Sequence, residues 1–181
     1  MKTETRVIGI DDGNTRLRRR LVAGVVFRGG LWLDGVVASV IDVAASSLGR
    51  RLALMVTRSK FYNELRVAML HGSILGSMDA ADFMAFRATV KLPTIAILQG
   101  KQIHLVRQIV KKARKAVHFR PQEDISVLGM GLTTEKAVEI LKITSHGSIV
   151  PEPVRVAGII ASALNTPKRL NWTLRPFRGG S

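Results

Sequence analysis

RVIGIDDG (residues 6–13) is the stretch that decides the fold. An apolar run ends here in Asp11, Asp12 and Gly13, which is the pattern of a buried strand that delivers acid groups to the rim of a sheet. The surrounding chain is strongly basic, with a formal net charge of +15. Acid groups at a strand end in a basic protein indicate a divalent-metal site that faces a phosphate polymer.

The composition predicts one folded domain with a polyanionic partner. The chain has 181 residues, of which 46% are hydrophobic, and this is enough for a sizeable core. Lys and Arg number 28 against 13 Asp and Glu. This imbalance favours DNA, RNA or a ribonucleoprotein as the partner over a membrane surface, and over a basic surface that is merely solvated.

Cysteine is absent, which excludes disulfides, thiolate metal sites and cysteine nucleophiles. No apolar stretch approaches the roughly 20 residues that a membrane span needs, and no signal peptide is recognised at the N-terminus. We therefore expect a cytoplasmic protein that does not contact membranes.

The hydrophobic pattern changes period along the chain, from strands to alternating helices and strands. Strands are predicted at 7–11, 21–27, 31–41, 65–70, 92–98 and, as a short strand or a connection, 125–128. Helices are predicted at 44–58, 79–90, 102–117, 133–143 and 153–164. This order indicates an α/β domain with a mixed sheet over residues 1–164, which begins as a three-strand antiparallel meander. Residues 165–181 form a basic C-terminal tail. An exposed strand edge would support a homodimer.

Positive charge is clustered, and the clusters are the candidate nucleic-acid contacts. The predicted contacts are Arg18, Arg19 and Arg20, the 102–117 helix residues Arg107, Lys111, Arg114 and Lys115, and in the tail Lys168, Arg169 and Trp172. On a helix, spacings of three and four place side chains on one face. The alternative for the helix is that its basic face is merely solvated. Trp172 is predicted to stack on bases, and the alternative is that it docks the tail onto the core.

Four ordered segments resemble the archaeal endonuclease dU family, which is related to endonuclease V. These segments are residues 7–13, 25–35, 65–72 (followed by Gly76 and Asp82) and 151–157. The resemblance covers about residues 6–164. It implies a ribonuclease H-like fold with a five-stranded mixed sheet flanked by helices. It also implies magnesium-dependent cleavage near a deaminated base, deoxyuridine or inosine.

Residue roles follow from the same resemblance. Asp11 corresponds to the metal ligand of the first strand. Asp12 either forms a hydrogen bond, shares the ion or is a turn residue before Gly13. Asp82 stands where the family has an acid, in a catalytic or a structural role. Arg155 resembles a phosphate contact, or else forms a buried pair with Glu152.

The site departs from the family pattern at several positions. His71 replaces the aspartate that ends the fourth strand, and Gly158 stands where histidine is usual. Imidazole is a neutral, softer ligand, so Mg²⁺ loses an anionic oxygen. His71 either ligates Mn²⁺ or Zn²⁺ together with Asp11 or is simply a hydrogen-bonded residue.

Three functions remain open after these departures. The leading prediction is a catalytically inactive nucleic-acid- or ribonucleoprotein-binding module, with Asp11, Asp12 and His71 as a vestigial catalytic site and no certain cofactor. The alternative is an endonuclease for deaminated bases that uses Mg²⁺ or Mn²⁺. A third possibility is a scaffold for a protein partner.

Overall fold

A mixed sheet with helices on both faces organises the chain in the computed structural model, which describes residues 5–113 and 115–165. The strands are β1 (Arg6–Asp11), β2 (Arg19–Arg28), β3 (Trp32–Asp42), β4 (Leu65–Leu70), β5 (Thr94–Gln99), β6 (Ala116–Gln122) and β7 (Ile125–Met130). The helices are α1 (Leu48–Thr57), α2 (Ala80–Val90), α3 (Ile103–Lys112), α4 (Thr134–Thr144) and α5 (Glu152–Leu164). The predicted α/β class with a mixed sheet is confirmed.

The strand order is β3-β2-β1-β4-β5-β7-β6. The first three strands form the antiparallel meander that the sequence predicts, and β4 and β5 are parallel to β1. The expectation of five strands is wrong, because the β6–β7 hairpin adds two strands beside β5. The described sheet therefore has seven strands.

The β6–β7 hairpin also corrects the predicted helix over residues 102–117. The helix ends at Lys112, and the chain resumes as a strand at Ala116. In β6 the half-buried Phe119 lies between the exposed His118 and Arg120, which is the period of a strand. Basic residues stand on both sides of the junction, at Lys111, Lys112, Arg114 and Lys115, and they hide this change of period.

The two faces of the sheet carry different helices. Ile8 and Ile10 face the side covered by α1, α2 and α3, where Phe83 is fully buried. Val7 points to the other side and packs in a second cluster with Val154 of α5 and with residues of α4. This alternation of side chains along β1 puts the strand between two apolar layers.

A glycine brings α5 close to the central strand. A Cβ atom on Gly9 would lie 2.2 Å from the carbonyl carbon of Pro153, so only glycine fits this approach. The first turn of α5 therefore lies directly on β1, and the helix then runs toward the end of β1 that carries Asp11.

The bounds of one predicted strand are confirmed, and a side-chain cap begins the helix that follows it. Residues Leu65–Leu70 form a strand with the predicted bounds, and Asp79 caps α2 by accepting the backbone N–H of Asp82 at 2.8 Å. Among the described residues, no helix combines the length and apolarity needed to cross a bilayer.

Candidate functional site

Asp11 and His71 meet because β1 and β4 are parallel neighbours that end at the same edge of the sheet. The backbone N–H of His71 donates to the Ile10 carbonyl at 3.0 Å, which extends the ladder by one step. The two side chains then lie 2.6 Å apart, from His71 Nδ1 to Asp11 Oδ2. The structure thus joins residues that are 60 positions apart in the sequence.

Both carboxylate oxygens of Asp11 have partners within the protein. Oδ2 contacts His71, and Oδ1 accepts the backbone N–H of Gly13 at 2.6 Å. Asp11 is 2% exposed, and the His71 side chain is 13% exposed. The carboxylate is therefore held in place by donors of the chain itself, and His71 leaves only Nε2 for a ligand.

Asp12 belongs to a buried ion pair. Its Oδ2 accepts from Arg20 Nη1 at 2.6 Å and from the Ser73 hydroxyl at 2.7 Å. Asp12 is fully buried and Arg20 is 6% exposed. Sharing of a metal ion by Asp12 is a poor fit to this arrangement, because its charge is already compensated by a guanidinium.

Arg20 requires a correction for the same reason. The sequence places it in a surface cluster with Arg18 and Arg19, but its guanidinium points inward to Asp12 and to the Leu17 carbonyl, at 2.7 Å from Nε. Alternation along β2 explains the difference, because adjacent residues point to opposite sides and Arg19 is exposed. Arg20 is therefore not available to a phosphate.

Gly72 permits the two carboxylates to converge. Its φ is +88°, and a Cβ atom would lie 2.5 Å from Asp11 Oδ1 and 2.6 Å from Asp12 Oδ1. Asp12 Oδ1 is buried without a hydrogen-bond partner among the described groups. The closeness of the two acid groups thus depends on the absence of a side chain here.

The remaining acid implied by the resemblance is structural. Asp82 Oδ1 accepts the backbone N–H of Gly49 at 3.1 Å, at the first turn of α1. A carboxylate at a helix N-terminus satisfies a free donor and complements the helix dipole. Asp82 therefore joins α1 to α2.

The donor set does not fit the magnesium centre that the resemblance implies. Within residues 5–113 and 115–165, no group of three or more His, Cys, Asp or Glu side chains is arranged to hold a metal ion. Mg²⁺ prefers carboxylate oxygens in octahedral geometry. Asp12 is paired with Arg20 and Asp11 is hydrogen-bonded to His71. Helix α5 contributes no donor at Gly158, whose Cβ would lie 3.2 Å from the Asp11 carboxyl carbon.

An open cleft of about 700 Å³ lies in front of Asp11 and His71. Its other wall is α5, which presents Arg155, Gly158 and Ser162. Arg155 pairs with Glu152 through two hydrogen bonds, at 2.9 and 2.6 Å, and holds the pKa of that carboxyl below its usual value. The pair is at the surface and not buried, since the Arg155 side chain is 47% exposed.

The other predicted contacts are distributed over several elements. Arg18 and Arg19 are exposed at the start of β2, where Arg18 pairs with Asp42 at 3.0 Å and lowers its pKa. Arg107 and Lys111 are exposed on α3, whereas Lys115 is exposed in the turn that follows the helix. Four predicted contacts lie outside the described residues: Arg114, Lys168, Arg169 and Trp172.

Two side chains that the sequence does not single out support the site. Gln102 Nε2 donates to the Gly72 carbonyl at 2.7 Å. Asn165, assigned by sequence to the tail, is buried, and its Nδ2 donates to the Asp12 carbonyl at 3.0 Å. No local pattern marks either residue, because their partners are distant in the sequence.

The chain was compared with known proteins. A family model described as Endonuclease dU matches residues 3–165. A UPF0215 protein of Methanothermobacter thermautotrophicus is 30% identical over 91% of this chain and 89% of its own length.

Solved structures show the same fold. A protein of unknown function from Archaeoglobus fulgidus has a TM-score of 0.68 at 26% identity, over 88% of this chain and 98% of that chain. Ciona intestinalis endonuclease V, in complex with a 24mer DNA containing an inosine followed by a ribo-adenosine, has a TM-score of 0.55 at 14% identity, over 88% and 84%. The resemblance found in the sequence is thereby confirmed, and the chain belongs to the Endonuclease dU family.

Proposed function

We propose that this protein binds nucleic acid, or the nucleic-acid surface of a ribonucleoprotein, at the sheet edge around Asp11 and His71, and that it does so without metal-dependent cleavage. The observation that carries the proposal is that the protein itself already engages both acid groups, Asp12 through Arg20 and Asp11 through His71 and Gly13, within a chain of net charge +15. The fold would be retained as a ribonuclease H-like binding platform.

The partners that the two acids have within the protein argue against metal-assisted hydrolysis. Such hydrolysis needs carboxylates that hold one or two ions against the scissile phosphate. Here Asp12 is committed to Arg20, and Asp11 accepts from His71 and Gly13.

Exposed cations lie on the elements that begin or end at this edge. Arg19 begins β2, Arg18 directly precedes it, and Arg155 lines the cleft itself. Helix α3 follows Gln102, which contacts Gly72 beside the two acids, and it carries Arg107. Lys and Arg that neutralise phosphates release counterions, which drives binding. The DNA bound by the similar endonuclease V supports the same class of partner.

A salt titration with paired variants tests this proposal. Anisotropy of labelled 24-nucleotide DNA and RNA, single- and double-stranded, would be measured from 50 to 200 mM salt. The double variant Arg19→Ala/Arg107→Ala is expected to weaken binding to duplex DNA and to reduce the log–log salt slope by roughly 2 units if both side chains neutralise phosphates.

The matched control is Lys60→Ala/Lys142→Ala. Lys60 precedes β4. Lys142 lies beside the end of α4 that contacts Gly30 in the β2–β3 turn. Both residues therefore lie toward the edge of the sheet opposite to Asp11 and His71. The control is expected to retain the salt slope. An equal loss in both variants would indicate non-specific charge attraction, and salt-independent binding would favour the protein scaffold.

A further inference from the structure

Strand β3 forms one edge of the described sheet, where β2 is its only paired strand. The register with β2 is regular from Gly35 to Asp42. An edge strand presents a row of backbone N–H and C=O groups on its outer side, and this row is a template for one more strand. The outer backbone of β3 can therefore accept an extended segment from another molecule.

The sequence of β3 lacks the residue types that protect edge strands from pairing. Residues 32–42 contain no lysine, arginine or proline. The other edge strand of the described sheet, β6, carries Arg120 and Pro121, and its register with β7 shifts after Phe119. Charged side chains, proline and irregular register are the usual protection of a sheet edge. Of the two edges, β3 is therefore the one that is open to a partner.

Helix α1 and β3 line an open groove of about 550 Å³, named here the β3–α1 groove. The strand contributes residues 37–41, and the helix contributes the half-buried side chains of Leu54 and Met55. A strand edge presents backbone donors and acceptors alternately, and another peptide backbone matches this alternation. A phosphate backbone carries acceptors only, so the groove fits an extended polypeptide better than a nucleic acid.

Two arginines supply positive charge to the β3–α1 groove. Arg51 and Arg58 both line it, and their spacing corresponds to about two turns of helix, or roughly 10 Å along the axis. Both side chains are exposed, and within residues 5–113 and 115–165 neither forms an ion pair or a side-chain hydrogen bond. The groove therefore offers two positive charges that the carboxylates of a partner can compensate.

The two faces of β3 select different side chains from a strand that is added to it. Val37 and Ile41 face the side of α1, whereas Val36 and Val40 face the side of α5. Val36 is 43% exposed and Val40 is 54% exposed, so both offer apolar surface at the sheet edge. Because side chains alternate along a strand, an added strand would place every second side chain beside these two valines and the others beside the two groove arginines.

We propose that the β3–α1 groove binds an extended segment of another protein in which acidic and apolar residues alternate. The segment adds to β3 as a further strand, with its apolar side chains against the two exposed valines and its carboxylates against Arg51 and Arg58. A second copy of this chain fits less well, because the acids of its own β3, Asp34 and Asp42, are already paired with arginines. The inference is independent of nucleic-acid binding, since no residue of the cleft takes part.

Fluorescence anisotropy of a labelled peptide on the full chain tests the proposal. The probe is the end-capped peptide GEVEVEVG, and the comparison peptide GKVKVKVG carries lysine in place of each glutamate. We expect saturable binding of the first peptide and at least about tenfold weaker binding of the second. The variant Arg51→Glu/Arg58→Glu is expected to reverse this preference. The matched control Arg50→Glu/Lys142→Glu makes the same change of charge at exposed side chains outside the groove and is expected to keep the preference.

Methylation of the peptide backbone tests strand addition separately from charge. In an added strand, alternate N–H groups point to β3 and the others point away from it. Two forms of GEVEVEVG, each N-methylated at one alternate set of amides, are therefore expected to differ at least about tenfold in affinity.

Four results would overturn the proposal. Equal affinity of the two methylated peptides would exclude strand addition. Equal loss of GEVEVEVG binding in the groove variant and in the matched control would indicate attraction to the net charge of the chain. Displacement of the peptide by duplex DNA, together with weaker DNA binding by the groove variant, would assign the groove to nucleic acid. A dimeric mass by light scattering that the peptide converts to a monomeric mass would place a second copy on β3.

Discussion

Replacing Arg20 by methionine isolates the role of the buried ion pair. The substitution keeps a long apolar stem but removes the guanidinium, and Asp12 is then left buried with a single side-chain donor, the Ser73 hydroxyl at 2.7 Å. Arg19→Met is the matched control, because it removes the same group from the adjacent, exposed residue of the same strand.

The magnitude follows from the burial of both partners. Asp12 is fully buried and Arg20 is 6% exposed, and removal of one partner from such a pair typically costs about 3–5 kcal/mol. The lost Nε bond to the Leu17 carbonyl belongs to the same group and is included in that range. The exposed control is expected to change the free energy of unfolding by less than about 0.5 kcal/mol.

Urea and thermal unfolding measure this difference. For a chain of this size, about 3–5 kcal/mol corresponds to a decrease in Tm of roughly 6–20 °C. The double variant Asp12→Asn/Arg20→Met removes both charges and is expected to recover part of the loss, because no uncompensated charge stays buried.

A small effect would refute this reasoning. If Arg20→Met is no more destabilising than Arg19→Met, the pair does not hold the site together. If Arg20→Met instead leaves stability intact and weakens nucleic-acid binding, Arg20 faces a phosphate, as the sequence alone suggests.

Three further predictions concern the same edge of the sheet. Gly72→Ala is expected to cost about 1–3 kcal/mol because of its positive φ and its contact with the acids, whereas Gly76→Ala, whose Cβ would meet nothing closer than 3.9 Å, serves as the control in urea unfolding. Asn165→Ala is expected to lower stability by about 1–3 kcal/mol, measured in the same way, since it leaves buried backbone groups unpaired. The Arg18 hydrogen bond depresses the pKa of Asp42. The native chain should therefore be more stable than Asp42→Asn above the unfolded pKa of 3.8, and this advantage should shrink as the pH falls below that value. A difference in unfolding free energy that stays constant between pH 6 and 2 would contradict this.

Local sequence patterns predict those parts of the fold that depend on neighbouring residues in the chain. Residues Leu65–Leu70 form a continuous apolar run, and Asp79 is a residue type that caps helices, so both features were predictable. The end of α3 was not, because the basic run continues across the helix end at Lys112 and into β6. The count of strands failed for the same reason.

The site was predictable only as a set of residue types. Asp11 and His71 each end an apolar run, and parallel pairing of those runs brings them to hydrogen-bonding distance. The inward direction of Arg20 depends on which side of β2 faces Asp12. The adjacent Arg19 is also an arginine, so residue type alone does not show which of the two points inward. Contacts of Asn165 depend on the complete fold, since its partner Asp12 lies 153 positions away.

Cleavage under saturating binding tests the central claim most directly. The purified full chain would be incubated with end-labelled DNA and RNA that contain deoxyuridine, inosine or ordinary bases, with Mg²⁺ or Mn²⁺, at a protein concentration where anisotropy shows the substrate to be bound. The account predicts bound and uncleaved nucleic acid. Turnover that Asp11→Ala abolishes would contradict it.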